Sequence, residues 1–360
     1  MLTKPQFNIP VISVIFATSN DSNMKLVTYS KEGKEQLAYY INDSLYDVNA
    51  ANDRLPSTMK QLLDNWEQYE ATARQTEDDI KTGKNTSATA VAFEGADILA
   101  PVTQATSCRD GYAFRQHVAA ARRNRKVDMI PEFDQFPIWY FTNHNAIQGP
   151  GDIACMPDRF HKLDFELEVA VVLSKNGRNV PAAEADNYIA GYMIMNDMSA
   201  RLMQMEEMKL NLGPAKGKDF ATVIGPWLVT PDELEEYKVE TPKGNIYKLS
   251  MKAFHNGKQV SQGNTKDITY TFAEILERIS YGVDIQPGEV IGSGTVGTGC
   301  YLELNGTWRN EAEAKGEEFT PIWLENGDDI TLEITGLGTL KNTIKLTDND
   351  YSIFAKKRKI

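Results

Sequence analysis

Short runs with strand character dominate this chain, and runs with helical spacing are fewer. After Met24, Lys25-Leu26-Val27-Thr28-Tyr29 reads as a first strand, with turn signals at Lys31-Glu32-Gly33 and Ile41-Asn42-Asp43. Pro56-Ser57 opens a helix whose apolar positions Met59, Leu62, Leu63 and Trp66 follow helical spacing. The polar stretch 75–86 reads as an exposed continuation or a loop, and a short strand follows at 91–93. Further strands are predicted at 165–173, 192–195, 226–229, 248–254, 290–293, 300–304 and 330–335, and helices at 113–125, 199–208 and 272–279. The two kinds do not alternate, which argues for an α+β fold rather than a doubly wound sheet. The division expected is an extension at 1–23, a small β-rich module at 24–102 and a larger strand-rich domain at 103–360. The apolar run 9–17 is broken by Pro10 and Ser13 and preceded only by Lys4, too weak a pattern for a signal peptide.

Composition narrows the partners. The chain has 360 residues, 41% of them hydrophobic and 24% charged, which is ordinary for a globular protein and excludes general disorder. Fifty acidic against 38 basic side chains give a net charge of −12, the wrong sign for nucleic acid or an anionic membrane. That balance suits a protein that holds a cation, although solubility explains it equally well. Three cysteines without CxxC spacing argue against a disulfide framework or structural zinc and fit a reducing compartment, so a cytoplasmic location is expected. No apolar run approaches the ~20 residues of a membrane span. There is no GxGxxG and no P-loop lysine to hold a nucleotide.

The informative stretch is Leu163-Asp164-Phe165-Glu166-Leu167-Glu168-Val169-Ala170-Val171-Val172-Leu173. As a strand it places Glu166 and Glu168 on one face, just where the chain turns apolar on both faces and enters a buried sheet. Two adjacent glutamates there are tolerable if they face water or share a cation. A second carboxylate, Asp197, ends the apolar strand Gly191-Tyr192-Met193-Ile194-Met195, where it could equally cap the next helix. A third position, Asp110, precedes the helix that carries His117 and could be only a helix-terminal charge. Taken together, Asp110, Glu166, Glu168 and Asp197 describe a hard-cation site for Mg²⁺ or Ca²⁺ rather than zinc.

At these residues the chain resembles the fumarylacetoacetate hydrolase family. The resemblance rests on Asp-x-Tyr-x-x-Arg-x-His (Asp110 to His117), the Glu-x-Glu strand, and Asn-Asp-x-Ser-Ala-Arg (Asn196 to Arg201). It continues through Gly-Lys-x-Phe (Gly217 to Phe220), Pro-Gly-Glu-Val-Ile (Pro287 to Ile291), Ser-Gly-Thr (Ser293 to Thr295) and Glu-Ile-x-Gly-Leu-Gly-Thr-Leu (Glu333 to Leu340). Seven motifs in order are specific where any one is weak. The resemblance implies a strand-rich β-roll or barrel for 103–360, and a divalent metal on Asp110, Glu166, Glu168 and Asp197, with Mg²⁺ expected and Ca²⁺ or Mn²⁺ possible. It places Lys218 and Thr222 near that metal, and Tyr112, Tyr140, Gln204 and Thr295 against the substrate. His117 pairs with Glu303 in Tyr301-Leu302-Glu303-Leu304, read here as a strand, to form a water-activating base, with Lys218 and Gln204 offsetting charge on the reacting oxygen. The remaining histidines, His144, His161 and His255, read as loop or surface.

The implied reaction is hydrolysis of a carbon–carbon bond in a 1,3-diketo acid, in the breakdown of aromatic compounds or amino acids, by a homodimer with no nucleic-acid or membrane partner. Departures from the family pattern fall in the pocket for the distal acid. Met208 stands where fumarylacetoacetate-cleaving enzymes carry tyrosine, and Leu202 where aspartate is usual. The carboxylate-binding arginine aligns near Lys126, beside Arg122, Arg123 and Arg125. Two other readings stand beside the hydrolase. A decarboxylase or keto–enol isomerase of the same fold, acting on a 2-oxo acid, would need the metal but no activated water. A non-enzymatic cation-binding protein would have no use for Lys218, His117 or Glu303.

Overall fold

The computed structural model describes residues 24–358; the extension expected at 1–23 lies outside the described residues. Its centre is a twelve-stranded mixed sheet. The strands used below are β1 (Lys25–Lys31), β2 (Lys34–Ile41), β3 (Ser44–Asp47), β4 (Ala90–Ala92), β5 (Ser107–Gly111) and β6 (Trp139–Thr142), then β7 (Gly151–Cys155) and β8 (Leu167–Leu173). Next come β9 (Ile189–Asp197), β10 (Thr222–Val229), β11 (Ser250–His255), β12 (Lys258–Asn264), β13 (Glu289–Gly292), β14 (Asp329–Ile334) and β15 (Gly338–Leu346). The main path of the large sheet runs β4-β3-β2-β1-β10-β9-β8-β13-β5-β6. It is open from β4 to β6, so the strand-rich α+β class holds while the sheet does not close into a barrel. A second, five-stranded sheet runs β12-β11-β14-β15-β7.

The strand β8 shows why the large sheet is central. All seven of its residues are buried. Val169, Val171 and Leu173 point into one core, with Met251, Ala253, Ile330, Leu332 and Ile334 of the second sheet. Ala170 and Val172 point into the other, with Leu62, Leu63 and Trp66. Those last residues lie on the helices α1 (Met59–Asp64) and α2 (Trp66–Lys81). Residues 24–102 are therefore built into the larger domain. β1 pairs with β10 through Lys25↔Val229 and Leu26↔Leu228, and the helices cover one face of the shared sheet.

The helix announced by Pro56-Ser57 starts at Met59, with Thr58 accepting the Gln61 N–H as its cap. It resumes as α2 through Lys81, so most of the polar stretch 75–86 is helix, with Thr76 and Glu77 buried. Three further helices are α3 (Arg115–Asn124), α4 (Arg201–Met208) and α5 (Phe272–Ile279). The last is closed by a capping box between Thr271 and Glu274, and it coincides with the helix predicted at 272–279. The strand predicted at 300–304 is instead the first turn of a helix, α6 (Tyr301–Lys315), which ends on Gly316 in the left-handed region. Four residues of apolar–polar alternation fit both periods, and only the longer span separates them. Among the described residues no helix is long and apolar enough to cross a membrane.

Candidate active site

Register in the large sheet brings the carboxylates together at one end of it. Asp110 in β5 lies opposite Gly292 of β13 on one side and Tyr140 of β6 on the other. Glu168, second residue of β8, faces Met195, and Asp197, last residue of β9, faces Thr222, first residue of β10. Glu166 sits just ahead of β8, where its N–H donates to Asn196 Oδ1 at 3.0 Å. One oxygen from each of Asp110, Glu166, Glu168 and Asp197 lies within 4.8 Å of the others, and all four side chains are buried. The close approach needs a glycine between strands: a Cβ on Gly292 would stand 2.6 Å from Asp110 Oδ1 and 2.8 Å from Met195 Sδ. Beyond β13 the Gly294 N–H donates to both Asp110 Oδ1 and Glu168 Oε2 at 3.1 Å, and Thr295 Oγ1 donates to Glu168 Oε1 at 3.3 Å.

Positive charge is short here. Lys218 Nζ donates to Asp197 Oδ2 at 2.6 Å and also to Glu166. Burial works against its ammonium, but the Asp197 and Glu166 charges outweigh burial and hold Lys218 above the ordinary lysine value. Burial likewise opposes the Glu166 carboxylate, yet Lys218 and Arg201 keep it well below the usual range. The other pair has no such help. Burial, then the charge on Asp197, pushes Asp110 up to about 8. Burial, then the charges on Asp110 and Glu166, pushes Glu168 well above the carboxylate range. Among the described residues, Asp197 Oδ1 and Thr222 Oγ1 are buried without a hydrogen-bond partner. An all-oxygen donor set with excess negative charge and orphaned oxygens fits a hard divalent cation.

Beside this cluster sits the histidine pair. Asp110 and His117 are not on one helix: Asp110 lies within β5, which runs to Gly111, and α3 begins at Arg115. His117 faces α6, where its Nδ1 meets Glu303 Oε2 at 2.6 Å, and the other Glu303 oxygen accepts the Thr298 N–H at 2.9 Å. Both side chains are buried. The helices approach closely because of Gly306, whose Cβ would stand 2.6 Å from Asn124 Nδ2. That amide instead donates to the Glu303 carbonyl at 2.9 Å, which locks α3 onto α6. The Tyr112 ring lies edge-on to His117 at 5.9 Å.

Gln204 on α4 accepts from Arg201 Nη1 at 2.9 Å, leaving its amide N–H₂ free to donate. Tyr140 donates to Asp197, so it and Thr295 both touch members of the carboxylate cluster. Of the departures, Met208 and Lys126 are exposed; Lys126 pairs with Glu313 at 3.2 Å. The Arg125 and Arg122 charges are felt at Tyr112, where burial is nonetheless the larger influence and raises the phenol. His144 and His161 are exposed. His255 is not a surface residue: half-buried, it bonds Tyr301 Oη at 2.6 Å and Asp328 at 2.9 Å.

The parts played by Asp164 and Arg201 escaped the sequence reading. Asp164 is fully buried and accepts the N–H groups of Phe165 (2.9 Å), Tyr301 (2.7 Å) and Leu302 (2.9 Å). It thereby caps α6, although Cys300 holds the cap position in sequence and its side chain makes no cap bond. Asp164 also takes Arg201 Nε at 2.8 Å, and Arg201 Nη2 reaches Glu166 at 2.7 Å. One aspartate thus ties the helix bearing Glu303 to the strand entrance bearing Glu166. The signal available in the sequence was an aspartate at a strand start, which carries no trace of a partner 137 residues away.

Residues 106–345 match the family described as Fumarylacetoacetate (FAA) hydrolase C-terminal. The chain is 29% identical over 338 residues to the fumarylacetoacetate hydrolase domain-containing protein 2 homolog of Dictyostelium discoideum, covering 91% of this chain and 99% of that one. To the mitochondrial oxaloacetate tautomerase Fahd2a of Rattus norvegicus it is 27% identical, covering 89% and 92%. Its fold resembles maleylpyruvate hydrolase from Sphingobium sp. SYK-6, solved with manganese(II) and pyruvate, at a TM-score of 0.64 and 18% identity over 90% of this chain and all of that one.

Proposed function

This chain belongs to the fumarylacetoacetate hydrolase family, and we propose that it is a metal-dependent hydrolase of the carbon–carbon bond in a 1,3-diketo acid. Family relatives are enzymes named as hydrolases, isomerases and tautomerases, so the coarse class is enzymatic. The observation that carries the finer reading is the buried His117–Glu303 pair, 2.6 Å apart, with His117 also beside Glu166 of the carboxylate cluster. A base that can activate water therefore adjoins a site for a diketone.

Asp110, Glu166, Glu168 and Asp197 would hold the cation, Mg²⁺ first among Mg²⁺, Mn²⁺ and Ca²⁺. Bound there, it would supply Lewis acidity toward the two oxygens of an enolised diketone. Glu303 holds His117 by Nδ1, so Nε2 takes the proton of the attacking water. The water oxygen bonds to the carbonyl carbon, and the amide of Gln204 and the ammonium of Lys218 offset charge on the former carbonyl oxygen. The carbon–carbon bond then breaks, and the proton on His117 passes to the departing carbon. Tyr112, Tyr140 and Thr295 border the substrate.

A keto–enol tautomerase is the second reading, favoured by the name of the rat relative that covers 89% of this chain. In that chemistry His117 would move a proton between carbon and oxygen without activating water. The test incubates the purified protein and Mg²⁺ with a panel of acylpyruvates and with oxaloacetate. The hydrolase forms two acids, or a ketone and an acid, stops with EDTA and recovers with Mg²⁺ or Mn²⁺. Faster decay of the oxaloacetate enol absorbance with no cleavage of any diketone would select the tautomerase. Stoichiometric CO₂ would select a decarboxylase.

A further inference from the structure

Cys300 has no part in the chemistry above, yet it lies against it. One donor atom from each of Cys300, His117 and Glu166 lies within 4.8 Å of the other two, and all three side chains are buried. Glu303 occupies His117 Nδ1, which leaves Nε2 as the nitrogen able to ligate. A carboxylate behind one ring nitrogen, fixing the tautomer of the other, is the usual setting of a zinc-bound histidine. The donor set differs in kind from the neighbouring cluster: sulfur, nitrogen and oxygen suit zinc or cadmium, whereas four carboxylates suit magnesium. Charge also favours a second cation. Asp110, Asp164, Glu166, Glu168, Asp197 and Glu303 converge here, against the cations of Lys218 and Arg201.

We propose that His117, Cys300 and Glu166 form an inhibitory site for a thiophilic divalent cation, Zn²⁺ or Cd²⁺, which shares only Glu166 with the all-oxygen cluster. Binding forms a metal–sulfur bond and sends the thiol proton to solvent, with no change of oxidation state. It occupies the ring nitrogen that the proposed reaction uses, so turnover stops while the oxygen cluster keeps its own ion. Glu166, with two oxygens, borders both sites. The inhibition rests on His117 acting as the base; the binding does not.

The test uses the full chain saturated with Mg²⁺. Zn²⁺ should abolish turnover, raising Mg²⁺ should not restore it, and a zinc chelator should. Losing even an outer partner of a metal ligand costs roughly 10–100-fold in affinity. Cys300→Ser and Cys300→Ala should therefore raise the Zn²⁺ needed for half-inhibition by about tenfold or more, each against its own rate with Mg²⁺ and without Zn²⁺. Cys108→Ser should leave that concentration unchanged. Independently of activity, Cd²⁺ added to the Mg²⁺-loaded protein should give an ultraviolet thiolate-to-cadmium band, one site per chain. The band should vanish in both Cys300 variants and persist in Cys108→Ser. A cadmium band without inhibition would retain the site and refute His117 as the base. Inhibition relieved by excess Mg²⁺ and equal in the Cys300 variants, with no cadmium band, would place the zinc in the oxygen cluster and overturn the proposal.

Discussion

Asp164 and Asp197 are both fully buried carboxylates at the same end of the sheet, yet their surroundings are opposites. Asp164 accepts three backbone N–H groups and an arginine. Asp197 has Lys218 and Tyr140 on one oxygen and nothing on the other. Buried polar atoms nearly always find partners, so an exception calls for a cause. The satisfied aspartate is spent inside the protein and holds elements in place. The unsatisfied one has capacity left for something from outside. Between these two aspartates, satisfaction rather than burial or charge marks the difference.

The sharpest way to break this contrast is to remove a carboxylate from the cluster to which Asp197 belongs. Glu168→Gln should abolish turnover, since a Lewis acid is worth several kcal/mol, on the order of 10³ in rate. It should weaken Mg²⁺ binding by calorimetry, and without Mg²⁺ the melting temperature should hold or rise, because an uncharged amide stands where burial, Asp110 and Glu166 disfavour another carboxylate charge. A fall in melting temperature would make Glu168 a scaffolding residue.

The His117–Glu303 pair comes next. Base catalysis is worth roughly 10²–10⁴ in rate. Residues acting as a unit do not add, so His117→Ala, Glu303→Gln and the double variant should lose kcat by similar factors with Mg²⁺ affinity near wild type. Losses that multiply, or a fully active Glu303→Gln, would dissolve the pair and strengthen the tautomerase reading.

Asp164→Ala probes the other side of the contrast. Breaking a buried ion pair from one side costs roughly 3–5 kcal/mol, read as a shift in the denaturant midpoint. Mg²⁺ should restore little of it. A change in Mg²⁺ affinity without loss of stability would put Asp164 among the ligating residues.

The smallest effect is on pH. Asp110 titrates near 8 in the folded, metal-free protein against an ordinary 3.8, so the folded state holds the extra proton. Its contribution to stability is fully present below about 4 and is lost as pH rises through about 8. Without Mg²⁺ the melting temperature should drift down across that window, and saturating Mg²⁺ should remove the drift. A metal-free protein stabilised by rising pH would contradict this.

What could be read in the sequence follows from how local each feature is. The Glu166–Glu168 spacing and the aspartate ending an apolar strand are visible within a few residues, because strand alternation announces which side chains share a face. Glu303 was legible as a residue and not as part of a helix, since Tyr-Leu-Glu-Leu alternates like a strand and Gly306 lowers the helical signal. That glycine is explained only by Asn124 across the helix contact. The Asp164–Arg201–Glu166 chain was invisible because it joins a strand entrance, a helix and a helix cap through tertiary contact alone. The integration of residues 24–102 was hidden for the same reason: strand pairing across two hundred positions leaves no mark on either strand.

That integration gives residues 24–102 a second consequence for the sheet they join. The pairing of β1 with β10 occupies an edge that would otherwise present free N–H and C=O groups at Leu228 and Val229. Such an edge invites other chains to add to it. With β1 to β4 in place the sheet runs on to a strand only three residues long, Ala90–Ala92, which offers little for another molecule to grip. Removing the N-terminal strands should bare that edge and promote self-association.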